Sequence, residues 1–354
     1  MPKDHLENPE RRLLLVKWIV CAGLLAAIAL TTRLWFGGRT FPEAPVFGWL
    51  PTVPSLVPSI SFVLSLLAAA GLRLRWPIGM AVGFAALLVL LDLNRLQPWM
   101  YQYVLVLVGV WLGGRRGWAL CACVLAFTYV WSGLLKLNLS FASDVFPWLV
   151  KPIFAAPTSL GFAAALFEVC VGVLLFVPRL RIFAIAGAAL IHFALLWVLG
   201  PTGHNFNSAV WPWNICMPLL AFTLFFRSSE PLFPLAWSSA VGKVVLVLVG
   251  VMPALNLLDL WDDNLSASLY SGRTRDAWLR VEPHVIQEWQ VPSSAVIQRG
   301  DFFIVDLPTW ALSDLNVPPY PEPRVYRIIA QGHELFIRDR SVWTGATRRL
   351  SRLR

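Results

Sequence analysis

Three side chains in this sequence could do proton chemistry inside an apolar setting: Lys136, Glu168 and His192. Lys136 closes the apolar run from Trp118 to Leu135 and lies in the string WSGLLKLN, with Ser132 and Gly133 just before it and Asn138, Asp144 and Trp148 after it. A lysine partly shielded from water at a bilayer edge can serve as a general base. The same lysine can instead simply extend its ammonium to water, as lysines at span ends do. Glu168 sits near the middle of ALFEVCVGVLLFVPRLR, and His192 near the middle of ALIHFALLWVLG. Each is about ten residues from the end of its run, which at a 1.5 Å rise gives them similar depth. An ionised carboxylate at mid-bilayer costs about 2.5–3.5 kcal/mol on insertion scales, so a partner is expected. A hairpin of the two runs would let Glu168 face His192, either as a buried structural hydrogen bond or as a proton relay at the polar end of a ligand pocket. Trp131, Asn138, Trp211, Trp213 and Asn214 are placed to line such a pocket.

The elements that must hold these residues are membrane helices. Of 354 residues 57% are hydrophobic and 14% charged, against about 25% charge in soluble domains, and mean hydropathy is +0.65. Apolar runs at roughly 13–32, 57–74, 77–93, 99–113, 118–136, 158–177, 182–200, 209–226 and 241–260 are each near the ~20 residues a span needs. The first is expected to be a retained signal anchor. The fold class is therefore an all-α polytopic membrane protein with about nine transmembrane helices over residues 1–260, followed by a small β-rich extracytoplasmic domain over 261–354. In that domain AVIQ, DFFIVDL, RVYRIIA and HELFIRD read as strands between Gly, Pro and Asp breaks.

Basic residues fall in every second connection: Arg73 and Arg75, Arg115 and Arg116, Arg179 and Arg181, then Arg227. The positive-inside rule puts that side, and the N-terminus, in the cytoplasm and the C-terminal domain outside. The opposite connections hold FPEAPVFGWLPTVPSLVP, FASDVFPWLVKPIF and GPTGHNFNSAVWPWN, so polar and aromatic residues gather toward the outer face. The second of these is expected to lie at the interface. Lys17 is read as a lysine reaching for water near the cytoplasmic end, and Asp92, Asn94 and Arg95 as an interfacial ion pair or as lining of the outer site.

Several chemistries are set aside. GxSxG, GxxxxGK[ST], GxGxxG and HExxH are all missing, and the five histidines are scattered, so no metal site is supported. The five cysteines lie in apolar runs and read as small packing residues. The net charge of +9 comes largely from topology-setting loops rather than a nucleic-acid patch. The basic run RDRSVWTGATRRLSRLR is either a solvated tail or a contact for anionic headgroups. NLS at Asn138 and Asn264 matches the glycosylation pattern.

WSGLLKLN, with a tryptophan-containing segment after it, resembles the lysine element of vitamin K-dependent γ-carboxylases and of the related horizontally transferred transmembrane (HTTM) proteins. FEVCVGVLLFVPRLR, IHFALLWVLG and VWPWNICMPLLAFTLFF resemble that family's acid-containing, histidine and aromatic-rich spans, in the same order. The likeness runs over roughly residues 118–226, with a weaker extension through LWDDNLSASLYSGR. It implies that Lys136 corresponds to the lysine that deprotonates vitamin K hydroquinone, that His192 is the family's histidine, and that the site faces the lumenal side. Reaction of that hydroquinone with oxygen then yields the base that lets a glutamate take up carbon dioxide. Two departures stand out: Leu135 occupies the position of a first lysine, and some 90 residues leave no counterpart to the carboxylases' large lumenal region.

Two functions follow as expectations. One is a membrane enzyme, γ-carboxylase-like lyase or oxidoreductase, in which vitamin K hydroquinone or another quinol enters from the outer leaflet, Lys136 is the base, and Glu168 and His192 orient or relay protons. The other is a non-catalytic maturation factor or scaffold for an envelope protein. In both, the partners are the lipid bilayer and an amphiphilic small molecule or an envelope protein or peptide substrate, with no nucleic acid.

Overall fold

The computed structural model describes residues 8–48 and 54–338; the predicted basic tail beyond Arg338 lies outside them. The chain runs α1 (Pro9–Leu30), α2 (Thr32–Phe36), α3 (Leu56–Gly71), α4 (Trp76–Leu91), α5 (Pro98–Leu112), α6 (Gly114–Leu135), a π turn (Phe141–Val145), α7 (Phe146–Val150), α8 (Thr158–Phe176), α9 (Arg181–Leu199), α10 (Trp211–Phe225), α11 (Leu232–Trp237) and α12 (Ala240–Gly250). It ends in β1 (Ala277–Val281), α13 (Pro283–Glu288), β2 (Val296–Arg299), β3 (Phe302–Asp306), α14 (Leu307–Leu315), α15 (Pro323–Ala330) and β4 (Glu334–Ile337).

Helix starts follow local chemistry. Asn8 accepts from the Glu10 amide at 2.9 Å and Pro9 opens α1, while Pro77 and Pro98 stand in the first turns of α4 and α5, where a missing N–H costs nothing. Among the described residues six segments are long and apolar enough to cross a bilayer: Pro9–Leu30, Gly114–Leu135, Thr158–Phe176, Pro178–Leu199, Ser208–Phe225 and Ala240–Leu258. The other three predicted spans are apolar helices too, but α3 and α4 have 16 residues and α5 has 15. At 1.5 Å per residue they reach about 24 Å, short of a ~30 Å hydrocarbon core. Bilayer-facing side chains such as Leu64, Leu166, Phe183, Leu190, Phe193, Ile215 and Val244 are exposed, a greasy belt that only lipid covers.

The connections sort to two ends. The basic connections share one: Arg12 donates to the Thr223 and Phe226 carbonyls, Lys17 to the Leu72 carbonyl, and Arg181 to the carbonyls of Ser228 and Glu230. Lys17 is thus buried on a carbonyl rather than extended into water. The other end carries residues 33–48, 92–97, 137–157 and 200–210 together with the C-terminal segment, and polar side chains tie them. Asp314 accepts from Thr40 N at 2.7 Å, Phe41 N at 2.8 Å and Arg33 at 2.8 Å. Gln97 donates to the Pro318 carbonyl at 3.0 Å, and Tyr320 N to Asn94 Oδ1 at 3.1 Å. Asp92 pairs with Arg39, not Arg95, and also accepts from Ala44 N and Asn94. Arg95 reaches the Leu34 and Leu88 carbonyls and Glu43. This cluster locks the loops at this end of the bundle and lies apart from the site described below.

The C-terminal segment is mixed rather than β-rich. Its antiparallel sheet has the order β2-β3-β1-β4, with Leu279 paired to Val305 on one side and Leu335 on the other. RVYRIIA, expected as a strand, is helix α15: Pro323 opens it, and Val325, Tyr326, Ile329 and Ala330 form one buried face. One of the two inner strands is AWLRV, whose buried Ala277, Leu279 and Val281 alternate inward. Asn138 and Asn264 are buried and their amides donate to carbonyls, so neither presents a glycan acceptor to solvent.

Candidate functional site

α6 is the pivot of the bundle, buried along most of its length and touching α1, α5, α8, α10, α11 and α12. Its closest neighbour is α8, and small residues set that approach. A Cβ on Gly133 would stand 2.6 Å from Val169 N and 2.8 Å from the Ala165 carbonyl, and one on Gly172 would stand 2.6 Å from Val130 N. Glycine therefore permits backbone-to-backbone contact between the helices. That contact brings Lys136, one turn beyond Gly133, onto Glu168. Lys136 Nζ donates to Glu168 Oε2 at 2.7 Å and to Ser132 Oγ at 2.7 Å. Both side chains of the ion pair are mostly buried, 13% and 14% exposed. Gly133→Val is expected to push α8 away: overpacking of this kind costs about 1–3 kcal/mol, read as a lower midpoint of thermal unfolding in detergent.

Glu168 therefore does not pair with His192, as the hairpin argument expected. Both line one cavity, but rotation about the helix axes turns the carboxylate toward α6. His192 has other partners. Its Nδ1 lies 2.7 Å from Asn214 Oδ1 and its Nε2 lies 2.8 Å from the Tyr129 hydroxyl. Asn214 commits its amide N–H to the Val210 carbonyl at 2.9 Å, so its oxygen faces the ring and must be the acceptor. Nδ1 then carries the proton, and neutral His192 accepts at Nε2 from the Tyr129 O–H. The lone pairs of the Tyr129 oxygen remain for a further donor.

These groups form the polar end of a cavity of about 400 Å³. Thr128, Tyr129, Ser132, Lys136, Glu168, His192 and Asn214 cluster there, and Trp213 forms part of the wall. The rest is apolar, built by Phe146, Leu149 and Val150 of α7, by α8 and by α9. Ile153, Phe154, Leu160, Phe167 and Leu190 line the same cavity yet are exposed on the bilayer-facing surface. The chamber thus opens sideways, between α8, α9 and the segment around α7. His204 steadies that segment, stacking on Trp148 at 4.4 Å and lying 2.8 Å from the Trp148 carbonyl.

Two of the five predicted lining residues stand in the cavity. Trp213 and Asn214 are in it. Trp131 instead donates to the Gly250 carbonyl, joining α6 to α12, and Trp211 donates to the Leu199 carbonyl. Asn138 is consumed by the turn after α6, bonding Leu135, Ser271 and Phe141. Tyr129 was not foreseen. Its signal is visible in the spacing: 129, 132 and 136 fall at i, i+3 and i+7, one polar stripe on an otherwise apolar helix.

A second cavity, about 450 Å³ and more polar, lies above the first, between the bundle end and the C-terminal segment. Tyr270 lines both. Its φ is 56°, a backbone conformation that bulky residues rarely adopt, and Asn207 donates to its hydroxyl at 3.0 Å. The ring is a partition between an apolar chamber and a polar one.

Fold and cavity define a multi-pass helical membrane protein with a ligand-sized chamber. The chain matches no family model, no curated protein and no solved structure.

Proposed function

We infer that this protein takes an amphiphilic small molecule from the bilayer into the chamber, a quinol being the class that suits it best, and that Lys136 acts as general base on its hydroxyl. The observation that carries this reading is one cavity with an ionisable polar end and an apolar lining that runs out to the lipid. The volume falls within the roughly 300–1,000 Å³ of small-molecule sites. A hydroxylated head fits against Lys136, Tyr129 and Asn214, and an apolar tail along Phe146, Leu149 and Leu160. Such a fit supports the hydroquinone chemistry that the likeness to vitamin K-dependent γ-carboxylases and HTTM proteins implies.

A quinol brings an acidic aromatic hydroxyl and two electrons. The protein does the rest with protons. Lys136 Nζ sits 2.7 Å from Glu168, which can take up the lysine's proton in the course of turnover, so that the amine form faces the hydroxyl. The amine takes up the hydroxyl proton, and the ammonium that results stays beside the developing negative charge. Tyr129 and His192 offer a parallel path, in which the Tyr129 oxygen accepts a proton while its own moves to His192 Nε2. Ser132 aims the lysine, and Asn214 fixes the histidine tautomer.

The basic end of the bundle faces the cytoplasm under the positive-inside rule. The six long apolar helices then cross, α3, α4 and α5 cross by local thinning or burial, and the polar end of the chamber lies toward the outer side with the C-terminal domain.

Mass spectrometry of the lipids and quinones that co-purify with the full chain tests the reading. Wild-type protein is expected to carry a quinone or a similar amphiphile. Ala164→Trp, which fills the apolar lining, is expected to lose it while remaining folded. Equal recovery from both would sink the assignment. The alternative, a non-catalytic maturation factor for an envelope protein, draws support from the second cavity, whose prolines and aromatics (Pro308, Pro318, Pro319, Pro321, Trp148 and Phe206) suit an extended peptide. Under that alternative, loss of Lys136 chemistry leaves maturation intact.

A further inference from the structure

The basic end of the bundle carries a third hollow, about 470 Å³, between the start of α1, the α3–α4 connection and the end of α5. Four cations line it, Arg11, Lys17, Arg73 and Arg75, against the single carboxylate of Glu10. That carboxylate already accepts from Gly114 N at 3.0 Å. Lys17 is only 4% exposed, and its ammonium bonds the Leu72 carbonyl at 2.7 Å. An ammonium has three N–H donors, and Arg73 lies close enough to repel it. Among the described residues neither Arg73 nor Arg75 has an acidic partner. Lys17 is the buried one of the four, while Arg11, Arg73 and Arg75 stand exposed at the mouth of the hollow, and like charges gathered in this way attract an anion between them.

The rim of the hollow says what kind of anion. Trp18, Leu72, Leu74 and Trp76 are exposed around it, and the Trp18 indole donates to the Ala70 carbonyl at 3.0 Å. Tryptophan at the headgroup level with aliphatic side chains next to it matches the boundary between phosphate and acyl chain. Guanidinium groups suit phosphate oxygens because their forked donors bind two at once.

We propose that this hollow is a binding site for the phosphate of an anionic phospholipid, seated on Lys17, Arg73 and Arg75 with its acyl chains along Trp18, Leu74 and Trp76. The site is separate from the Lys136 chamber and stands whatever that chamber holds. It clamps the N-terminal helix to the α3–α4 turn through the lipid.

Native mass spectrometry of the full chain in detergent, with phosphatidylglycerol or phosphatidylcholine added, tests it. Wild-type protein should retain phosphatidylglycerol in preference, and R73Q/R75Q should retain it about tenfold less or weaker still. Glu10→Gln, which removes the one acid, should retain it more firmly, and this variant decides the matter if the double variant fails to fold. Equal retention of the two lipids by wild type, or retention unchanged in either variant, would overturn the proposal. Inorganic phosphate is the control for the source of the anion. If it displaces phosphatidylglycerol at millimolar concentration, the site takes soluble phosphate and the lipid assignment is wrong; no displacement is expected.

Discussion

Lys136→Met is expected to abolish protein-dependent turnover of an added short-chain quinol, followed as oxygen uptake, by about 10²–10⁴-fold, the usual contribution of a positioned general base. The ligand should still bind, because its tail contacts on α7, α8 and α9 are untouched. The single variant strands Glu168 in a mostly buried position, and breaking a buried pair by removing one partner is costly. The informative variant is therefore K136M/E168Q, which removes both charges at nearly constant shape. It is expected to unfold near the wild-type temperature and to be inactive. Tyr129→Phe leaves the Lys136–Glu168 pair in place, so its loss should be smaller. Full activity in the folded double variant would remove Lys136 from the chemistry.

Asp92→Ala is expected to be the most destabilising single change at the end of the bundle that carries the C-terminal segment. Asp92 is fully buried. It pairs with Arg39 and accepts from Ala44 N, Asn94 N and Asn94 Nδ2 at 3.0, 3.1 and 2.8 Å. Alanine leaves the Arg39 guanidinium, itself 8% exposed, without its counter-ion and two backbone amides without their acceptor, at a cost of about 3–5 kcal/mol. The damage should spread, because Asn94 also holds Tyr320 N and so docks the C-terminal segment. Protease treatment in detergent is expected to cut the loop around residues 39–48 far faster than in wild type. R39M/D92L, which removes both charges, should recover much of the loss.

What could be read from the sequence follows from which forces are local. Apolar runs and alternating basic loops reveal the helices and their two ends, since hydropathy and charge act along the chain. The ionisable residues of the cavity were also legible, as few ionisable groups lie within apolar runs. Which of them touch was not. Glu168 meets Lys136 because Gly133 and Gly172 draw α6 onto α8, and a helix's rotation is decided by packing with partners distant in sequence. RVYRIIA misled through its β-branched residues, although Pro323 at the first helical position and the 325, 326, 329, 330 face spoke for a helix. AWLRV alternates inward as a buried strand should, but its five residues are too short to stand out between charged neighbours. Trp131, Trp211 and Asn138 do not line the Lys136 cavity because each is drawn to a nearby carbonyl, a contact that only tertiary geometry creates.

The central claim is that a bilayer amphiphile places its polar head at Lys136. Photolabelling with a short-chain azidoquinone, followed by peptide mapping, tests it most directly. The account predicts labels on the segments bearing Tyr129 to Lys136, Glu168 and Leu190 to Leu195, lost in Ala164→Trp. Labels confined to the outward surface of α3 and α4, and unchanged in that variant, would contradict it.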